Sequence, residues 1–215
     1  PALERQPEPM RQVHITRHPV LDGQGELFGY ELQVRQSSGE DGAADGSAAA
    51  SASALVDAIN RPGFGQLLGD KPVFINVTQE FVQRGFTALL PARSVVLELL
   101  QAVEADADLI DHLAARKEEG FGLSLNVLTS DRAYAPIFEQ ADYLKIDLAP
   151  FDDGGELVSL FRELRPYPAR LIADNVHTQQ AFEACRRLGF DLFQGQYFAK
   201  PAAVTTESLP PQKAT

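Results

Sequence analysis

The chain has 215 residues, a formal net charge of −11, 44% hydrophobic residues and 23% charged residues. This length supports one sizeable core, and the composition is that of an ordinary globular domain. The acidic balance argues against a protein that binds the nucleic-acid backbone, and no apolar run reaches the length of a membrane span. We therefore expect a cytoplasmic protein with neither nucleic acid nor a membrane as its partner. The single cysteine, Cys185, excludes an internal disulfide.

Short apolar runs alternate along the chain with amphipathic segments. The apolar runs predict eight strands, at residues 13–17, 27–35, 73–77, 94–99, 122–127, 143–147, 170–174 and 192–194. The amphipathic segments predict helices near residues 54–68, 80–90, 105–119, 132–140, 156–164 and 179–188. Because strands and helices alternate and the strands are short, we expect an α/β fold with a closed barrel of parallel strands.

The first two strands depart from this alternation. The sequence DGQG at residues 22–25 separates them, and this pattern is typical of a hairpin. One antiparallel strand should therefore precede the parallel ones. Residues 37–53 are rich in Ser, Gly and Ala, which predicts a flexible loop. We divide the chain into an N-terminal extension (1–12), a barrel (13–204) and a polar linker or tail (205–215).

Polar residues stand near the carboxyl ends of most predicted strands. In a barrel of parallel strands these ends form the functional site. The residues at these ends are Glu31, Arg35, Asn76, Glu98, Asn126, Lys145, Asp147, Asp174 and Gln194.

The order of these residues resembles that of the EAL family, whose members hydrolyse cyclic-di-GMP. The resemblance is carried by GYELQVR (29–35), FINV (74–77), VLELLQ (96–101), ADYLKID (141–147) and FQGQYFAKP (193–201). It covers nearly the whole chain, and it implies a TIM-like (β/α)8 barrel of the EAL type, with one antiparallel strand near the N-terminus.

The family's reaction uses two Mg²⁺ or Mn²⁺ ions, which activate water and stabilise the charged transition state. The resemblance places Glu31, Asn76 and Glu98 at ligand positions for these ions. In the family, two adjacent aspartates end the strand that here contains Asn126 and Val127. A neutral amide and an aliphatic side chain cannot bridge two hard cations.

A second segment that the family uses is also altered. At residues 173–178 the family carries two glutamates separated by two residues, and Asp174 and His177 stand in their places. One histidine among scattered acids is a weak metal signal, so we expect His177 to lie at the surface or in a hydrogen bond. The loop at 128–132 reads LTSDR and lacks the glycines of active members.

These changes predict a pseudo-enzyme that needs no cofactor and acts in signalling through protein contacts. Glu31, Lys145 and Asp174 would then be vestiges of a catalytic site. In structural roles, Glu31 would pair with Lys145, and Lys145 would neutralise Glu98 or Asp147.

Two alternatives stay open. The first is a metal-independent receptor that binds cyclic-di-GMP weakly, with Arg35 and Gln194 as ligand-binding candidates. The second is an active phosphodiesterase, which would require Mg²⁺ or Mn²⁺.

One branch of the family is resembled in particular. The opening ITRHPVLD (15–22), followed by GYEL, is similar to proteins in which an EAL barrel precedes a C-terminal HDOD domain, a helical signalling module. The segment SLPPQK (208–213) is similar to the start of that junction. The resemblance implies an HDOD domain as a partner beyond residue 204.

Overall fold

The computed structural model describes residues 13–36, 70–100, 103–151, 154–198 and 202–204. The extension at 1–12, the loop at 37–53, the helix near 54–68 and the tail at 205–215 were predicted from sequence and lie outside the described residues.

The described strands form one continuous sheet that closes on itself. They are β1 (Val13–Asp22), β2 (Leu27–Gln36), β3 (Val73–Asn76), β4 (Val95–Leu100), β5 (Gly122–Val127), β6 (Tyr143–Asp147), β7 (Arg170–Asp174), β8 (Leu192–Phe193) and β9 (Ala202–Val204). Neighbours from β2 to β8 pair in parallel, in chain order. Strand β1 pairs antiparallel with both β2 and β8, so eight strands make a closed barrel, and β9 adds to β1. The predicted barrel with one antiparallel N-terminal strand is confirmed.

The β1–β2 hairpin turns at the predicted DGQG sequence. The Asp22 carboxylate accepts hydrogen bonds from the backbone N–H groups of Gln24 and Glu26, and Gly25 has a φ of 83°. Strand β1 is longer than predicted because it continues through Pro19. Proline lacks an N–H donor, and Pro19 lies between Arg17, which pairs with β9, and Leu21, which pairs with β8.

Helices cover the outside of the barrel. They are α1 (Gln79–Gln83), α2 (Ala107–Glu118), α3 (Ala135–Gln140), α4 (Gly154–Leu164) and α5 (Gln179–Leu188). The helix predicted for 80–90 is broken, because Gly85 adopts a φ of 73° and ends it, and a 3-10 turn at Phe86–Leu89 follows. Thr78, Asp106 and Thr178 cap α1, α2 and α5, each accepting a hydrogen bond from a backbone N–H of the first turn.

The alternation of side chains along each strand divides the apolar residues into two cores. Val20, Phe74, Val96, Ile172 and Leu192 fill the inside of the barrel. The strand residues that alternate with these face outward, as Val127 and Ile146 do. They pack against the helices in a larger cluster, to which α5 contributes Cys185. Cys185 packs in this cluster as a small hydrophobic residue, and burial raises the pKa of its thiol to about 11.

Within the described residues, no helix combines the length and the apolar character that crossing a membrane requires.

Candidate functional site at the carboxyl end of the barrel

A buried lysine lies at the centre of the polar layer above the inner apolar core. Lys145, on β6, is 2% exposed, and its Nζ lies 5.7 Å from the ring centroid of Phe74 below it. The ammonium donates to Glu31 Oε2 at 3.0 Å and to Glu98 Oε1 at 2.8 Å, and it lies 2.6 Å from Glu98 Oε2. One cation therefore joins carboxylates from β2 and β4 across the interior.

Glu31 is held by hydrogen-bond donors on both of its carboxylate oxygens. Oε1 accepts from Asn76 Nδ2 at 2.9 Å and from Gln33 Nε2 at 3.3 Å. Oε2 accepts from Lys145 and from Gln194 Nε2, the latter at 2.5 Å. Burial raises the pKa of Glu31, but the Lys145 ammonium and the hydrogen bonds outweigh burial and lower that pKa to about 2. Glu31 is therefore ionised throughout the physiological pH range.

Glu98 shares the same lysine but has fewer donors. It is 1% exposed, and besides Lys145 it receives a long hydrogen bond of 3.4 Å from the Ser124 hydroxyl. Burial raises the pKa of Glu98 more than Lys145 lowers it, and the nearby Glu31 charge adds to the rise. For Lys145, burial lowers the pKa, but Glu98, Glu31 and Asp174 together raise it above its ordinary value. The lysine therefore stays charged.

Asn126 and Val127 end β5 on opposite sides of the barrel wall. Asn126 is in register with Lys145, so it faces the interior, and its buried Oδ1 has no hydrogen-bond partner among the described residues. Val127 is in register with Ile146, and both are buried in the outer core under the helices. Neither position supplies an anionic oxygen, and position 127 faces away from the site.

Asp174 ends β7 beside a small pocket. Its Oδ1 accepts from the backbone N–H of Asn175, which has a φ of 60°, and the Asn175 side chain donates to Asp147 Oδ1 at 2.7 Å. Burial raises the pKa of Asp174 above its ordinary range, although Lys145 and the Asn175 N–H oppose this rise. The pocket, of about 90 Å³, is lined by His18, Pro19, Asp174, Asn175, Gln194, Gly195 and Gln196.

The structure brings most of the sequence-predicted site residues together at this end of the barrel. Glu31, Asn76, Glu98, Lys145 and Gln194 form one contact network. Asp147 is not neutralised by Lys145, because it accepts from Asn175 and from the backbone N–H of Ala149. His177 is exposed, as predicted. The side chain of Arg35 lies outside the described part of the structure.

Three residues of the site were not predicted from sequence: Gln33 and Ser124, which donate to Glu31 and Glu98, and Asn175, which donates to Asp174 and Asp147. Gln33 and Ser124 stand two residues from Glu31 and Asn126, and period-2 alternation along the strands would have placed them on the inner face. Asn175 could have been suspected only from its type, since asparagine tolerates a positive φ better than most residues.

The donor set does not fit a pair of divalent ions. Hard cations need several oxygen ligands, with carboxylates placed to serve both ions. Here Glu31 and Glu98 already accept from Lys145, and Asn76 turns its N–H₂ toward Glu31. Among the residues that the structure describes, no three His, Cys, Asp or Glu side chains form a group able to hold a metal ion.

Comparison with known proteins agrees with this architecture. The family model described as EAL domain matches residues 11–201. Two curated relatives are the cyclic di-GMP phosphodiesterase CdgJ of Vibrio cholerae, 26% identical over 99% of this chain and 50% of that protein, and the uncharacterized protein YuxH of Bacillus subtilis, 22% identical over 92% of this chain and 49% of that protein. The chain thus spans about half the length of these relatives.

A solved structure shows the same fold. The YkuI protein of Bacillus subtilis, which has an EAL domain and was solved in complex with substrate c-di-GMP and calcium, superposes with a TM-score of 0.72. It is 18% identical, and the match covers 91% of this chain and 57% of that one. Because the family model matches most of the chain, this protein belongs to the EAL domain family.

Proposed function

We propose that this EAL barrel is a non-catalytic signalling module that works through protein contacts. One observation carries the proposal: the end of β5 offers no anionic oxygen to the site. Asn126 presents a neutral amide, and Val127 packs under the helices. Two-metal hydrolysis of a phosphodiester needs carboxylates that hold both ions beside the attacking water, and this position supplies none.

The partner we propose is a domain of the HDOD type. Two observations support it: the sequence at 15–22 and 208–213 resembles the EAL–HDOD branch, and the curated relatives are about twice as long as this chain. A barrel that has lost its chemistry can still serve as a docking surface, because function resides in sites and not in the fold.

Active hydrolysis of cyclic-di-GMP is the second candidate, and a specific observation favours it. The relative CdgJ, which matches 99% of this chain, is named a phosphodiesterase. Glu31, Asn76, Glu98 and Lys145 also converge at the mouth of the barrel. Under this alternative, Mg²⁺ or Mn²⁺ would have to displace donors from Glu31 and Glu98 and recruit Asn126 through its neutral oxygen.

A receptor that binds cyclic-di-GMP without cleaving it is the third reading. The pocket beside Gln194 has a volume of about 90 Å³, whereas sites for drug-sized ligands run from about 300 to 1,000 Å³. Gln194 Nε2 also donates a hydrogen bond to Glu31 Oε2. Both facts weigh against tight binding at this place.

Calorimetric titration with cyclic-di-GMP, with and without Mn²⁺, separates the three readings. We expect no saturable binding under either condition. Binding that needs no metal and is lost in Arg35→Ala would favour the receptor. Binding that appears only with Mn²⁺ and is lost in Glu31→Ala would favour the enzyme. Circular dichroism of both variants would show that the loss is not caused by unfolding.

A further inference from the structure

We infer that the Lys145 ammonium is the resident cation of this site, and that a divalent ion can reach the Glu31–Glu98 pair only by displacing it. The inference rests on the proposed non-catalytic function and gives it a second physical cause: the site is closed by the chain's own charge as well as weakened by the neutral end of β5.

Lys145 Nζ occupies the place between the carboxylates of Glu31 and Glu98. It lies 3.0 Å from Glu31 Oε2 and 2.8 and 2.6 Å from the two oxygens of Glu98. An ion that contacted both carboxylates would lie about 2.0–2.6 Å from their oxygens. The ammonium already fills the place that faces both groups, so an ion and Nζ cannot share it.

The three charged side chains are almost completely buried. Lys145 and Glu98 side chains are 2% and 1% exposed, and Glu31 is 5% exposed. Water therefore cannot take over the role of the ammonium, and an uncompensated pair of carboxylates in this interior is strongly unfavourable. Removing the lysine charge should therefore make the binding of another cation at the same place favourable.

The neighbouring amides act as hydrogen-bond donors to Glu31. A carboxylate only accepts hydrogen bonds, so Asn76 Nδ2 and Gln194 Nε2 must be the atoms that contact Glu31. Each amide oxygen then points away from that contact, and Gln194 Oε1 is buried with no hydrogen-bond partner in the part of the chain that the structure describes. The amides are set as donors around a carboxylate whose cation is already in place, not as oxygen ligands of a metal.

The test compares Mn²⁺ binding by the wild-type chain, by Lys145→Met and by the double variant Glu98→Gln/Lys145→Met. Methionine keeps the length of the lysine stem without its charge. We expect Lys145→Met to bind one Mn²⁺ at least tenfold more tightly than the wild type does, and the double variant to lose that gain. Equal Mn²⁺ affinities of the folded wild type and Lys145→Met would overturn the inference.

Thermal unfolding in EDTA and in Mn²⁺ provides a second measurement in case Lys145→Met folds poorly. We expect its unfolding midpoint to fall in EDTA and to recover in Mn²⁺, while the midpoint of the double variant does not respond to the ion. A Lys145→Met chain that folds neither alone nor with Mn²⁺, beside a double variant that folds, would contradict the inference, since the ion then fails to replace the ammonium.

The inference about Lys145 and the proposed function can be overturned separately. Tight Mn²⁺ binding by the wild type would overturn the inference about Lys145 even if no cyclic-di-GMP were hydrolysed. Hydrolysis by the wild type would overturn the proposed function whatever the Lys145→Met variant binds.

Discussion

Asn126 and Val127 are neighbours in the chain and lie on opposite faces of the barrel wall. Asn126 is in register with Lys145 on the inside, and Val127 is in register with Ile146 in the outer core. Only position 126 can therefore take part in the chemistry of the barrel mouth without a rearrangement of β5. The two neighbouring residues therefore have different structural roles.

Introducing aspartate at these two positions should affect stability very unequally. Val127→Asp places an unpaired charge in the outer core, where Val127 is 3% exposed, so the free energy of unfolding should fall by about 3 kcal/mol or more. Asn126→Asp adds a carboxylate on the Lys145 side of the wall and should change stability by no more than about 1 kcal/mol. Urea unfolding of the two variants measures the difference.

Comparable losses in the two variants would contradict the opposite orientations of the two side chains. A Val127→Asp chain as stable as the wild type would mean that β5 can turn this residue toward the site.

Glu31 should make stability depend on pH in the acid range. Its pKa is about 2 in the folded chain against 4.5 in the unfolded chain, so the folded state binds fewer protons between these pH values. Its contribution, about 3 kcal/mol at 1.36 kcal/mol per pKa unit, is present above pH 4.5 and is lost as the pH falls toward 2. Relative to the wild type, Glu31→Gln should lose less stability over this interval in urea unfolding at pH 5, 4 and 3.

Glu98→Gln is the matched control, because the pKa of Glu98 is shifted in the opposite direction. A raised pKa means that the folded state holds its proton more tightly, so the contribution of Glu98 is present below the unfolded pKa and is lost as the pH rises. The two variants should therefore change the acid slope with opposite signs. Changes of the same sign would show that the additional hydrogen-bond donors of Glu31 do not separate the pKa values of the two carboxyl groups.

The barrel fold could be predicted from the sequence, because its strands are short apolar runs bounded by polar residues. The bounds predicted for β5, β6 and β7 agree with the structure. The helix near 80–90 was wrong because its apolar pattern continues through Gly85, where the backbone turns. Strand β9 was missed because three residues, Ala202–Val204, carry too little periodicity to detect.

The candidate site was predictable in its membership but not in its hydrogen-bonding roles. Strand-end position named Glu31, Asn76, Glu98 and Lys145 from sequence. It could not show that Gln194 contacts Glu31, since residues 163 positions apart meet only once the barrel has closed. The orientation of Val127 was available from period-2 alternation, but reading 126 and 127 as one pair concealed it.

Gly195 should be intolerant of a side chain because a Cβ there would clash with the backbone of Val176. A Cβ there would lie 2.3 Å from Val176 O and 2.4 Å from Val176 N, and φ is 150°. Those two atoms hydrogen-bond to Tyr197 N and Gln194 O, which tie the β7–α5 loop to the turn after β8. Gly195→Ala should lower the free energy of unfolding by about 2–3 kcal/mol in urea unfolding.

Gly85→Ala separates this clash from the cost of backbone conformation alone. Gly85 also has a positive φ, 73°, but a Cβ there would meet no atom within 4 Å. Its replacement should cost about 1 kcal/mol. Equal costs at the two glycines would show that the loop moves aside without penalty.

Assay of cyclic-di-GMP hydrolysis by the purified chain, in Mg²⁺ and separately in Mn²⁺, tests the proposed loss of catalysis most directly. Chromatography of the linear dinucleotide measures turnover, and Glu31→Ala, checked for folding by circular dichroism, sets the background. Because no carboxylate ends β5 and Lys145 holds Glu31 and Glu98, we predict no product above that background. Metal-dependent turnover in the wild type that disappears in Glu31→Ala would contradict the account.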